Sequence, residues 1–201
     1  MNQRRTSLLV PARIPVDSME FVPTAIPDVV SLRPKRHEDS RGFFSETFRA
    51  EWFPELDFVQ DNHSYSAGTH TIRGLHYQAP PADQAKLVRV LRGSVLDVAV
   101  DLRFGSPTFL HHVSAALTAE GGEQLLVPTG FAHGFVTLEP ETVVLYKVTA
   151  YYSAALERGI RWDDAALQVE WGVGEQPILS PRDDSHPPFD PASSPFVFKR
   201  A

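Results

Sequence analysis

No cysteine occurs among the 201 residues, so disulfides, thiolate nucleophiles, iron–sulfur clusters and cysteine-ligated zinc are all excluded. Positive charge is also short. The 19 Lys and Arg stand against 25 Asp and Glu, a net charge of −6, which argues against a phosphate-backbone binder and hence against a nucleic-acid partner. Long apolar runs are missing too, since no stretch approaches the run of about 20 apolar residues that a membrane span needs. Arg4 and Arg5 precede a mildly apolar run in the manner of a signal peptide, but Pro11, Arg13 and Pro15 interrupt it too early. Residues 1–20 therefore read as an N-terminal extension, with the cytoplasm as the default location and no membrane partner. What is present, 42% hydrophobic and 22% charged residues without a long charge block, describes one soluble globular domain with a substantial core.

Helices should be scarce, because 17 prolines leave few uninterrupted windows. Residues 45–53, with Phe48 and Trp52 four apart, and residues 163–167 are the short helices the pattern predicts. Residues 86–91 and 94–102 are rich in β-branched side chains and flank Arg92-Gly93, which reads as a hairpin. Further strand-like runs occupy residues 110–117, 123–127, 131–138 and 142–149, separated by Gly, Pro and acidic turns. Many short strands without intervening helices predict an all-β antiparallel barrel or sandwich. From Ser180 onward the chain is too Pro-rich for regular structure and reads as a surface segment or tail. The domain is expected over residues 21–190, with a C-terminal tail over residues 191–201.

Two histidines lie in constrained local sequences: His76 in Arg73-Gly-Leu-His-Tyr-Gln78 and His133 in Pro128-Thr-Gly-Phe-Ala-His-Gly-Phe135. Gly122, five residues, Pro128, Gly130 and His133 resemble the second half of the cupin signature. In the first half of that signature six residues separate an acidic metal ligand from a glycine. Here Lys86 holds the corresponding place ahead of Gly93, and His76-Tyr77-Gln78 carries one histidine rather than two. An ammonium among prospective ligands repels a divalent cation and offers no lone pair, so the site is expected to be metal-free. A histidine base beside a lysine suits removal of a proton next to a carbonyl, with the cation holding the charge that develops on oxygen. Asp97, Asp101, Asp183 and Asp184 could orient the base, and Tyr77, Tyr146, Tyr151 and Tyr152 could return the proton. Spacing does not choose among them.

The ordered motifs Arg41-Gly-Phe-Phe-Ser-Glu46, Phe58-Val-Gln-Asp-Asn-His-Ser64, Arg73-Gly-Leu-His-Tyr-Gln78, Lys86-Leu-Val-Arg89, Asp97-Val-Ala-Val-Asp-Leu-Arg103, Ser106-Pro-Thr108, Pro128-Thr-Gly-Phe-Ala-His-Gly-Phe135 and Tyr146-Lys147 resemble the dTDP-4-dehydrorhamnose 3,5-epimerases. The resemblance runs from about Phe21 to about Asp184.

It implies a cupin-like jelly roll, a homodimer, no cofactor, and an isomerase of rhamnose biosynthesis. Such an enzyme converts dTDP-4-dehydro-6-deoxy-D-glucose to dTDP-4-dehydro-L-rhamnose through enolates. By resemblance His76 is the base, Asp183 its carboxylate partner, Tyr146 the opposing proton donor and Lys86 the cation at the C4 oxygen, with Arg73 and His133 as further donors. Arg41, Phe44 and Glu46, from the neighbouring subunit, would join Gln60, Asp61, Asn62, Arg73, Glu157 and Arg182 around the dTDP group. Arg182 stands where the family commonly has lysine, which keeps the charge but changes its hydrogen-bond geometry. A mono-epimerase acting at C3 or C5 alone and a non-catalytic sugar-nucleotide-binding cupin are the competing readings of the same residues.

Overall fold

A computed structural model of the chain describes residues 18–174 and 176–199; the extension read from residues 1–20 thus lies, up to residue 17, outside the described residues. In chain order the strands are β1 (Met19–Pro23), β2 (Val30–Pro34), β3 (His37–Asp39), β4 (Gly42–Phe44), β5 (Gln60–Ser66), β6 (Ile72–Gln78), β7 (Lys86–Arg92), β8 (Ser94–Asp101), β9 (His112–Thr118), β10 (Gln124–Val127), β11 (Phe131–Thr137), β12 (Thr142–Val148) and β13 (Glu157–Gly159). They form a six-stranded sheet in the order β1-β2-β10-β7-β12-β5, a five-stranded sheet in the order β13-β6-β11-β8-β9, and the separate hairpin β3-β4. All pairings between these strands are antiparallel, as the scarcity of helix required. No helix among the described residues is long and apolar enough to cross a membrane.

Strand alternation builds the space between the two large sheets. Val88 and Val90 on β7, Val95 and Ala99 on β8, Phe131 and Phe135 on β11, and Val144 on β12 are buried in one inner cluster. Each is one of a set of positions two apart that share a face. Lys86, Asp97, His133 and Tyr146 belong to the same sets. The inner wall is therefore apolar over most of its length and turns polar where these side chains replace Val, Ala or Phe.

The outer faces are covered by irregular segments. Trp52 and Phe53 are buried on the six-stranded sheet, where Phe48 stacks on Phe53 at 5.8 Å. Leu167, Trp171 and Phe196 cover the five-stranded sheet. Phe196 lies within the stretch read as a tail, and β1 begins at Met19, inside the stretch read as an extension.

Three local expectations are corrected. The strands around Arg92-Gly93 are not a hairpin: β7 pairs with β10 and β12, whereas β8 pairs with β9 and β11. Gly93 alone separates them, shorter than a two-residue hairpin loop, and its φ of +76° turns the chain from one sheet to the other. A Cβ there would lie 2.3 Å from Thr142 Oγ1. Residues 45–53 contain only a 3-10 turn at Ala50–Trp52, because Phe48, Trp52 and Phe53 are drawn onto the sheet together rather than along one helical stripe. Residues 163–167 form turns. There the Asp164 carboxylate accepts from the backbone N–H of Ala166 and Phe189 at 2.9 and 2.6 Å, a local alternative to helical bonding.

The Pro-rich segment after Ser180 also differs from expectation. It contains a one-turn helix, α1 (Pro181–Asp184), whose first residue is a proline and whose N-cap Ser180 accepts from the backbone N–H of Asp183 at 3.0 Å. Proline's fixed φ and missing N–H suit the first helical position, so this proline starts a turn instead of preventing one. That turn carries Asp183 onto β6.

Candidate active site

The polar end of the inner wall opens into two adjoining chambers of ≈ 200 and ≈ 300 Å³ that share His76, Lys86, Tyr146 and Glu157. The smaller is completed by Gln60, Asn62, Tyr77, Gln78, Gln84 and Tyr152. Ser64, Arg73, His133, Phe135, Ser180, Arg182 and Asp183 complete the larger. His76 and His133 are register partners on β6 and β11 of the five-stranded sheet. Lys86 and Tyr146 come from β7 and β12 of the six-stranded sheet. The imidazole and the phenol thus face one space from opposite walls.

Two glycines let the histidine strands come together. A Cβ on Gly74, whose φ is +137°, would lie 2.5 Å from the Cα of Gly134. The β6–β11 register shifts between His133 and Phe135, at the same point. The bulge aims His133 and His76 inward while the backbones touch.

His76 Nε2 lies 2.6 Å from Asp183 Oδ1. Burial pushes the Asp183 carboxyl up, but the hydrogen bond and charge of His76, followed by His186 and the Gly74 backbone, outweigh it and hold the group below the usual carboxylate range. With Asp183 ionised, the Nε2 proton is donated to it and the lone pair resides on Nδ1. A second imidazole–carboxylate pair lies behind: His133 Nε2 is 2.9 and 3.0 Å from the two oxygens of Asp97, which is fully buried. Burial lowers the His133 pKa against the opposing pull of Asp97, so the ring is neutral. Its one N–H is committed to Asp97. His133 also lines the larger chamber, as expected of a residue near the substrate, and the Asp97 it holds acts electrostatically on Lys86.

Lys86 lines both chambers and is half-buried. Burial pushes its pKa down to about 8, with Asp97 and Glu157 opposing the shift. Its ammonium is thus charged at neutral pH. Burial raises the Tyr146 pKa, Arg73 opposes this and Glu157 adds to it, so the phenol keeps its proton at neutral pH. Glu157 accepts from Tyr152 Oη at 2.6 Å and from Arg182 at 2.5 Å. Burial raises its pKa, and these two bonds outweigh that to hold it below the usual range.

The other expected residues divide into two groups. Gln60, Asn62, Arg73, Glu157 and Arg182 line the chambers, with Gln60 Nε2 donating to Asn62 Oδ1 at 2.8 Å. Asp61 points to the other face of β5, where it binds Lys147 Nζ at 2.9 Å and lines neither chamber. Arg41, Phe44 and Glu46 lie on or just after the β3-β4 hairpin, outside both chambers of their own chain; Phe44 is 68% exposed and Arg41 is paired with Asp39. Of the open alternatives for the orienting carboxylate, Asp101 is tied to Arg103, Ser106 and Thr108, and Asp184 lines neither chamber. Sequence reasoning missed Ser64, whose buried Oγ has no hydrogen-bond partner and lines the larger chamber. Its spacing from Gln60 and Asn62, two residues at a time along β5, was the available signal.

His76, Asp183 and His186 bring ligand atoms within 4.8 Å of one another and are the group among the described residues that could hold a metal ion. The 2.6 Å hydrogen bond already engages the His76 nitrogen and Asp183 oxygen such an ion would need. Lys86, where a cupin carries an acidic ligand, is an ammonium. The donor set does not fit a resident metal.

A jelly roll of cupin type with a histidine and a tyrosine on opposite walls of one cavity, and a lysine lining the same cavity, is a fold and site suited to carbon-acid chemistry. The model of the dTDP-4-dehydrorhamnose 3,5-epimerase family matches residues 23–191. The chain belongs to that family. It is 50% identical over 176 residues to a dTDP-4-dehydrorhamnose 3,5-epimerase of Sinorhizobium fredii, covering 86% of this chain and 90% of that one. A crystal structure of the Bacillus anthracis enzyme with TDP and pyrophosphate bound superposes with a TM-score of 0.83 at 45% identity, covering 86% of this chain and all (100%) of that one. A Legionella pneumophila dTDP-6-deoxy-D-glucose-3,5-epimerase in complex with dTDP-4-keto-L-rhamnose gives 0.85 at 40% identity, with coverages of 91% and 100%.

Proposed function

We propose that this chain epimerises dTDP-4-dehydro-6-deoxy-D-glucose at C3 and C5 to dTDP-4-dehydro-L-rhamnose. The observation that carries the reading is the placement of His76 and Tyr146 on opposite walls of one cavity, with the Lys86 ammonium lining it as well. C3 and C5 both flank the C4 ketone, so loss of either proton leaves the negative charge on the same oxygen. His76 takes the proton through Nδ1, and Asp183 stabilises the imidazolium that results. Lys86 holds the enolate oxygen. Tyr146 donates its phenolic proton to the opposite face of the carbon, which inverts it. The base gains one proton and the phenol loses one, and both are reset by exchange with water.

This route supplies the test. Turnover in D2O, followed by NMR, should place deuterium at both C3 and C5 of the product, because the incoming proton derives from an exchangeable phenol. Label at one carbon alone would identify a mono-epimerase. Recovery of unlabelled sugar from a protein that nevertheless binds dTDP would identify a non-catalytic binding protein.

Gln60, Asn62, Arg73 and Arg182 are assigned to the dTDP moiety because they line the chambers around the dyad. Arg182 is paired with Glu157, and its guanidinium is the group that would hold the pyrophosphate. Arg41, Phe44 and Glu46 are assigned to the cavity of a partner subunit in a homodimer. An exposed hairpin that displays Phe43 and Phe44 and lines no chamber of its own supports this assignment. Absence of cysteine fits action in the cytoplasm. Both points are checked on the cytoplasmic fraction of the source cells. The protein should be recovered there with a sedimentation mass about twice the 22.4 kDa chain, and Phe44→Ala should weaken dTDP binding; a monomeric protein with unimpaired binding in this variant would refute the shared site.

A further inference from the structure

His186 has no part in the chemistry described so far, yet its ring stands against the catalytic pair. Its Nε2 lies 3.6 Å from Asp183 Oδ1, the same oxygen that accepts from His76. The two imidazoles meet edge to face, with centroids 5.6 Å apart. His186 Nε2 is buried and has no hydrogen-bond partner. The ring fits only because residue 159 is glycine: a Cβ there would lie 2.1 Å from Nε2. Gly159 is in turn the register partner of His76 on β6. Strand β13, helix α1 and the base are therefore packed around a single carboxylate with an imidazole on each side.

We propose that His186 is a positioning residue: it shares the Asp183 carboxylate with His76 and thereby sets how far into acid the base stays active. The inference rests on His76 being the base. The 3.6 Å separation becomes a hydrogen bond with a closure of about half an ångström. A carboxylate oxygen that accepts from two N–H donors places less negative charge on either, so it stabilises a protonated His76 less than it would alone. The groups facing His186 are Asp183 and Arg182 on α1, His76 on β6 and Glu157 on β13. Burial, together with the charges of His76 and Arg182, lowers the His186 pKa against the opposing pull of Asp183 and Glu157, so the ring enters this arrangement neutral. When acid does charge it, it repels a proton on His76. Both effects have the same sign.

The test is the pH dependence of kcat/KM for the full-length protein and its variants. His186→Phe keeps the ring's shape over Gly159 and removes the N–H; His186→Asn is too short to reach the carboxylate. Each should move the acid limb upward by about half a pH unit or more, with a much smaller change in kcat on the plateau. His186→Gln, which keeps an N–H within reach, should return most of the shift. An acid limb that stays in place in the folded Phe or Asn variant, or a fall in rate that is uniform at all pH, overturns the proposal. Full activity in His76→Ala would instead overturn the base on which it rests, so the two failures are distinguishable.

Discussion

His76→Ala lowers kcat by about 100- to 10,000-fold, the range that a positioned general base contributes, while dTDP affinity stays close to that of the parent. The size follows from the geometry around the ring. His76 is one half of a 2.6 Å pair with a carboxylate that is itself buried, and it lines both chambers, whereas His133 lines the larger one alone. His133, the nearest substitute, is on the neighbouring strand but has Asp97 at its Nε2 and is deeply buried. Binding should survive because the groups assigned to the nucleotide, Arg73 and Arg182 among them, are held by Ser66, the Tyr65 carbonyl and Glu157 rather than by His76. The measurement is a single-turnover rate alongside calorimetric dTDP binding. A variant that retains more than a tenth of the parent rate removes His76 from the role of base.

How much of this is legible in the sequence follows from the range over which each interaction acts. Strand character is local, so the runs that became β7 to β12 could be read from β-branched alternation to within a residue or two at their ends. The partners of those strands could not. Arg92-Gly93 looks like a hairpin because a glycine between two apolar runs is the usual hairpin signal, whereas the choice between folding back and crossing to a second sheet is made by burial on both faces of β8. Lys86 was legible because one changed residue type in a spaced signature has a chemical consequence. The pairing of His76 with Asp183 was not, since 107 residues separate them and Pro181 looked like a breaker rather than the first residue of a turn. Among four aspartates and four tyrosines, only family resemblance pointed to one of each. Asp183 and Tyr146 both line the larger chamber, while Asp97 turned out to serve His133. His186 was hidden for the same reason as Asp183: its meaning depends on a glycine 27 positions earlier, Gly159, that makes room for it.

Lys86→Met should lower kcat by about 100- to 1,000-fold, the loss typical of one preorganised group at a developing oxyanion, and it should also remove a feature of the pH profile. In the parent the ammonium is charged below about pH 8 and neutral above it, because burial has brought its pKa down. Stabilisation of the enolate is therefore present on the acid side of that value and lost as pH rises through it. The parent's kcat/KM should fall with an alkaline midpoint near 8, well below the titration of an exposed lysine at about 10.4. The methionine variant has no such group, so its low residual rate should be flat through the same window. Tyr146 does not produce the same limb at that position, since burial raises the phenol's pKa above its ordinary value and keeps its proton in place. Asp97 sharpens the discrimination: its charge raises the Lys86 pKa, so Asp97→Asn should move the alkaline midpoint further down, whereas a limb arising from the phenol would not follow that substitution. A parent profile without an alkaline fall near pH 8, or one that persists in Lys86→Met, would show that some other group holds the charge on the C4 oxygen.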